Sequence, residues 1–226
     1  YKQILEMTGA EMLWIPGIRM CDGIAADYAE KQKYLKFTHN FDDDILSASR
    51  NMAKRYRCNT SHGQKIENYA LQIFDAMKKF HGLGTRERLL LQIASILHDC
   101  GKFISLRDSS ACAYNIIMAT EIIGLSHAER EIVAEVVRCN LDAFRYGEGS
   151  IRAGKMTAML RLANAMDRSH HGRLDDGKLQ VKGNKLIIST SYAGNLALET
   201  MAVEDKADFF EEMFGIRPEI RQKRRV

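Results

Sequence analysis

His98 and Asp99 stand side by side at the end of an apolar run, in the stretch SILHDCGKF of residues 95–103. Imidazole and carboxylate are the ligands that divalent cations take in hydrolytic sites, where open positions remain for water and substrate. Two more residues of this chemistry fall at the ends of other predicted elements: His62, where one helix opens, and Asp167, where another closes. Neighbours on a regular helix point about 100° apart, because 3.6 residues make a turn. His98 and Asp99 can therefore share one cation only where the helix ends or kinks, and Gly101 supplies that irregularity. Taken singly, each residue has a structural alternative: a histidine near a helix start caps or faces water, and Asp167 can pair with Arg168. A carboxylate is, however, disfavoured at a helix C-terminus. The ordered set, with Gly101 and Lys102 directly after the pair, is much harder to assign to such separate roles and points to a site for a divalent metal.

Helical elements must position these residues. Ile45, Ser49, Met52 and Tyr56 follow helix spacing. Ile66, Tyr69, Ala70, Ile73, Phe74, Met77 and Phe80 make one continuous apolar stripe, opened by a capping box of Ser61 with Gln64 and closed at Gly82 and Gly84. Thr85 is the expected cap of the helix that buries Leu89, Leu90, Ile93, Ala94 and Leu97 and ends on His98. A helix over residues 112–123 closes at Gly124. Ser126 with Glu129 is a second capping box, before Ile132, Val133, Val136 and Val137. A last helix carries Met156, Met159, Leu160, Ala163 and Met166 to Asp167. After Gly172 the pattern turns β-like: residues 179–182 and 185–189 flank Gly183-Asn184, a two-residue hairpin signal. Residues 196–199 read as a third strand, 203–214 as a helix and 219–221 as an edge strand. Residues 12–19 look like a short strand broken by Pro16-Gly17, and a helix starts near Asp22. The chain is thus predicted to be mostly α: a linker segment over 1–42, a helical domain over 43–172, and a small α/β domain over 173–226.

The 226 residues are 46% hydrophobic and 27% charged, which fits an ordinary globular chain, and no apolar run approaches the roughly 20 residues needed to cross a bilayer. Five scattered cysteines with no C-x-x-C pair read as reduced thiols in a cytoplasmic protein. A net charge of +4 is too small to argue for nucleic acid and is compatible with anionic substrates. Basic residues cluster over 50–57 and in the tail over 221–225, where solvated surfaces are the simpler reading. Because the chain starts at Tyr1, it is expected to be a fragment of something longer.

The order His62, His98-Asp99, Asp167 on helices resembles the HD superfamily of metal-dependent phosphohydrolases, and residues 98–102 resemble its H-D-x-G-K variant. Residues 17–23 (GIRMCDG), 162–170 (LANAMDRSH) and 208–215 (DFFEEMFG) are similar to the C-terminal part of the bacterial exopolyphosphatase/guanosine pentaphosphate phosphatase (Ppx/GppA) family, and the resemblance covers almost the whole chain. It implies an HD-type helical domain followed by a small α/β domain, a preceding actin-like module that carries Mg²⁺-dependent polyphosphate chemistry, and homodimerisation. It implies His62, His98, Asp99 and Asp167 as ligands of one divalent metal ion per site, drawn from Mn, Fe, Ni, Mg or Zn. The sequence departs from relatives with two metals: residues 107–113 hold no histidine, and Asn140 stands where relatives often have one.

Within such a site, Asp99 would orient water as well as bind metal, and Lys102 would offset phosphate charge. Asn140 would contact a substrate oxygen or a metal-bound water. Arg55, with Arg50, Lys54 and Arg57, would extend the positive surface. His170 and His171 are auxiliary candidates. Three readings stay open at this level: a hydrolase acting on phosphoanhydride or phosphoester bonds of polyphosphate or nucleotide-type substrates; a non-catalytic module that binds polyphosphate or alarmone and supports dimerisation; and a buried hydrogen-bond network that only holds helices together. No membrane or specific nucleic-acid partner is expected.

Overall fold

The computed structural model describes residues 1–36, 40–144 and 150–222, which divide into two units, Tyr1–Asn40 and Phe41–Val226. The first unit holds α1 (Lys2–Thr8) and α2 (Met20–Lys31), neither with a buried residue. Residues 12–19 form no strand: Pro16 removes a backbone donor, and Trp14 stays 80% exposed.

The second unit begins with helices α3 (Phe41–Arg55), α4 (Thr60–Ala76), α5 (Lys78–His81), α6 (Thr85–Leu97), α7 (Ser109–Ala119), α8 (His127–Cys139) and α9 (Ile151–Met166). A 3₁₀ turn, Cys100–Phe103, follows α6. Strands β1 (Lys178–Lys182) and β2 (Lys185–Thr190), helix α10 (Ala197–Phe214) and strand β3 (Arg217–Gln222) complete it. The basic tail beyond Gln222 lies outside the described residues. Apolar side chains from Ile45 to Ile216 form one cluster, with α6 and α9 buried along most of their lengths and α10 laid on α9. Among the described residues, no helix is long and apolar enough to cross a membrane.

Several local predictions change. The cap of α4 is Asn59, whose Oδ1 accepts the His62 N–H at 3.1 Å, so Ser61 and Gln64 do not form the capping box. The apolar stripe breaks at Met77, and Phe80 faces solvent on the short α5. Gly84 precedes α6 and its N–H donates to Glu87 Oε2 at 2.8 Å, displacing Thr85 from the cap position. Helix α7 stops at Ala119, because Thr120 is extended, well before Gly124. The Ser126–Glu129 box forms as predicted.

Gly183, at φ 60°, turns the β1–β2 hairpin in the predicted place, pairing Lys182 with Lys185. Residues 196–199 are not a strand. Asn195 Oδ1 accepts the Ala197 N–H at 2.8 Å and starts α10 there. β3 runs parallel to β2, returning through α10 as a parallel pair requires, and tolerates Pro218 at the edge of the sheet.

Candidate metal centre

His62 sits in the first turn of α4, where the Asn59 cap fixes its backbone. Its ring is buried, and Nδ1 lies 2.8 Å from Asp167 Oδ2. Asp167 caps the C-terminal end of α9 and its other oxygen accepts the Gly172 N–H at 2.8 Å. Burial pushes the Asp167 carboxyl up, but the bonds from His62 and Gly172 outweigh it and hold it below the usual carboxylate range. A carboxylate accepts, so Nδ1 of His62 carries the proton and Nε2 presents its lone pair. Carboxylate–imidazole pairs of this kind orient histidine ligands toward a cation.

His98 ends α6 and is 4% exposed. Its Nδ1–H donates to the Ser95 carbonyl at 2.7 Å. Burial lowers its pKa, so the ring is neutral. The tautomer follows: Nε2 holds a bare lone pair, and that atom is buried with no hydrogen-bond partner among the described residues. The nearest acid oxygen, Asp99 Oδ1, is 3.4 Å away, so two acceptors face each other. An orphaned buried acceptor costs about 1–3 kcal/mol. A cation between the two atoms removes that penalty, and the donor set therefore fits a divalent metal.

Asp99 turns out of the helix at the start of the 3₁₀ turn, and Lys102 Nζ lies 2.7 Å from its Oδ1. Burial opposes ionisation of Asp99, but the Lys102 ammonium bonded to it favours the carboxylate, and the carboxyl is held below its usual range. Gly101 is required for a reason beyond helix ending: a Cβ there would overlap the Ser109 carbonyl oxygen and lie 2.6 Å from Ala113 N. The turn therefore rests directly on the backbone of α7.

Ligand atoms of His62, His98 and Asp99 lie within 4.8 Å of one another, as do those of His62, Asp167 and His170. His62 is common to both sets. The auxiliary candidate His170 takes φ 59°, a conformation uncommon outside glycine, and its ring lies 3.9 Å from that of His62 between centroids. His171 faces solvent.

Asp99 and Lys102 open onto a cavity of about 480 Å³ that Tyr56, Arg57, Asn59 and Phe103 also line. The basic residue at this mouth is Arg57, held at φ 49°, while Arg55 is exposed on α3 and lines neither this cavity nor the adjoining one beside Arg50 and Lys54. Asn140 lines a different cavity, between α8, α9 and α10. Sequence reasoning missed Glu199, which is fully buried on α10; its Oε1 accepts the Ser169 N–H at 3.3 Å and braces the turn after Asp167. It also missed Tyr69, whose hydroxyl donates to Asp175 at 2.5 Å and ties α4 to the same turn. The thiols of Cys58 and Cys100 are pushed up by burial to about 11 and about 12, which leaves them protonated beside the centre. All five cysteines are free.

The family described as "Ppx/GppA phosphatase, domain III" matches residues 46–205. A curated relative, the guanosine-5'-triphosphate,3'-diphosphate pyrophosphatase of Photobacterium profundum, is 22% identical over 207 residues, covering 89% of this chain and 40% of that protein. The chain thus spans less than half the length of that relative. The matched region takes in His62, both residues of the His98-Asp99 pair and Asp167, and the chain belongs to the Ppx/GppA phosphatase family.

Proposed function

We propose that His62 through Nε2, His98 and Asp99 bind one divalent cation, with Asp167 fixing the His62 ring rather than ligating the cation as the sequence suggests, and that this HD-type centre hydrolyses phosphoanhydride or phosphoester bonds within a longer Ppx/GppA protein. The observation that supports this most directly is the bare, buried Nε2 of His98 facing Asp99 Oδ1 at 3.4 Å. A structural network would have filled that position with a donor.

The substrate is an anionic phosphate of the polyphosphate or guanosine polyphosphate class. Lys102, whose side chain is 44% exposed, and Arg57 bring two cations to the mouth of the cavity that reaches Asp99. Lys102 holds Asp99 ionised until a phosphate competes for its ammonium group. Asp99 has a second oxygen with which to accept a proton from an attacking water. Tyr56 and Phe103, edge to face with centroids 5.8 Å apart, wall the cavity and limit solvent around the reacting phosphate. A bound divalent cation supplies Lewis-acid stabilisation of the charge that develops on phosphoryl oxygens.

Elemental mass spectrometry of the purified chain, after incubation with Mn²⁺, Fe²⁺ or Ni²⁺ and desalting, tests the reading. About one cation per chain, lost in Asp167→Ala, is expected. Hydrolysis of polyphosphate or a guanosine polyphosphate should then disappear in Asp99→Ala while circular dichroism shows the fold retained. Absence of bound metal in the unaltered chain would overturn the proposal.

A further inference from the structure

The cavity that receives Asn140 has a volume of about 200 Å³ and is lined also by Leu141, Arg161, Asn164, Arg168 and Lys206. Asn140 ends α8, and its backbone N–H bonds to Val137 O. The residue is 6% exposed, and its Oδ1 is buried without a hydrogen-bond partner among the described residues. A buried amide oxygen in that state lacks a donor, and the cavity is where a donor can arrive.

The charge around the cavity is positive. Arg168 and Lys206 line it, and among the described residues neither side chain makes an ion pair; one exposed carboxylate, Asp205, lines it as well. The carbonyl end of α8 would ordinarily repel an anion. Arg161 offsets it by donating from Nε to the Cys139 carbonyl at 2.8 Å and from Nη2 to the Asp142 carbonyl, with its guanidinium over the Phe209 ring. The volume is below the roughly 300–1,000 Å³ that drug-sized ligands occupy, so the ligand is small.

We infer that this cavity binds a phosphoryl group that still carries a proton. Its anionic oxygens meet Arg168 and Lys206, and its P–OH donates to Asn140 Oδ1, with Asn164 offering a further polar contact. Free orthophosphate and the protonated end of a phosphate chain share this chemistry. The inference does not depend on a cation at His98. It carries its own specificity test, because hydrogen phosphate keeps a P–OH at neutral pH whereas sulfate offers only acceptors. A site that supplies an acceptor rejects the analogue with no donor.

Isothermal titration of the full chain with orthophosphate, sulfate and tripolyphosphate, at pH 7 and with chelator present, decides the matter. Orthophosphate should bind at about one per chain, with sulfate at least about tenfold weaker, the effect of leaving a buried acceptor unpaired. Asn140→Ala should bring orthophosphate down to the sulfate level. The double variant Arg168→Gln/Lys206→Gln should weaken both anions, and it serves as the test if Asn140→Ala does not fold. Tighter binding of tripolyphosphate than of orthophosphate assigns the chain end as ligand, and the reverse assigns free phosphate. The inference is overturned if orthophosphate does not bind, if sulfate equals it, if both Asn140→Ala and the double variant leave it unchanged, or if Lys102→Ala abolishes it, which would place the anion at the mouth of the metal centre.

Discussion

Helix α6 is flanked by two buried histidines, one closing α5 before it and one directly after it, and the two are finished differently. Just before it, His81 uses both ring nitrogens: Nε2–H donates to the Phe74 carbonyl at 3.0 Å, and Nδ1 accepts the Leu83 N–H at 2.8 Å. Its ring packs on Phe74. Just after it, His98 uses one nitrogen on Ser95 and leaves the other bare against a carboxylate. Both rings are buried and neutral, with pKa values lowered by burial. Burial therefore does not separate structural from functional histidines. The unfilled hydrogen-bonding position does, because an interior polar group without a partner persists only where something else compensates it.

The same substitution at the two ends tests this contrast. His98→Leu should abolish cation binding, a loss of at least about 100-fold where changing outer partners alone costs about 10–100-fold. The metal-free protein should keep its stability within about 1 kcal/mol, because the lost bond to Ser95 is offset by removal of an orphaned acceptor. Metal titration and urea melts in chelator read the two halves of that statement. His81→Leu should do the opposite. It strands the Leu83 N–H and the Phe74 carbonyl, so a loss of about 2–4 kcal/mol is expected with cation affinity unchanged. Equal behaviour of the two variants in either assay would erase the distinction.

The smallest effect lies in pH dependence. The unfolded chain takes up a proton on each histidine as pH falls through about 6.5, while a ring whose folded pKa is lowered does not. Native stability is therefore level above that pH and falls below it, by up to about 1.4 kcal/mol per pH unit for each such ring. Urea melts of the metal-free protein between about pH 7.5 and 5.5 should show this slope, reduced in His81→Leu. A slope of the opposite sign would mean that these imidazoles are charged in the fold.

Much of the centre was legible because cation chemistry demands particular residue types at element ends. His62, His98, Asp99 and Asp167 stand out in the chain for that reason; in the structure His62 falls in two separate groups, one with His98 and Asp99 and one with Asp167 and His170. What supports them was not legible. The Ser95 carbonyl and the Gly172 N–H are backbone groups that every residue carries. Glu199 occupies a core position of α10, in step with Leu196, Val203, Ala207 and Phe210, so counting apolar residues misses the start of that helix and reads alternation instead. Asn59 was missed as a cap because Ser61 and Gln64 match the capping pattern equally well two residues later. Arg57 differs from Arg55 only in a left-handed backbone that turns it to the cavity mouth, which local sequence does not announce.

The contact between Gly101 and the backbone of α7 bears on time rather than affinity. Side chains at a centre normally exchange rotamers far faster than helices separate. Here the loop bearing Asp99 and Lys102 lies backbone on backbone against residues 109–113, with no side chain between to act as a cushion. Wide opening of the loop therefore requires α7 to shift with it, a collective motion of the slower kind. A cation seated at His98 would leave at the pace of that helix, so chelators should strip it slowly even where equilibrium favours its removal.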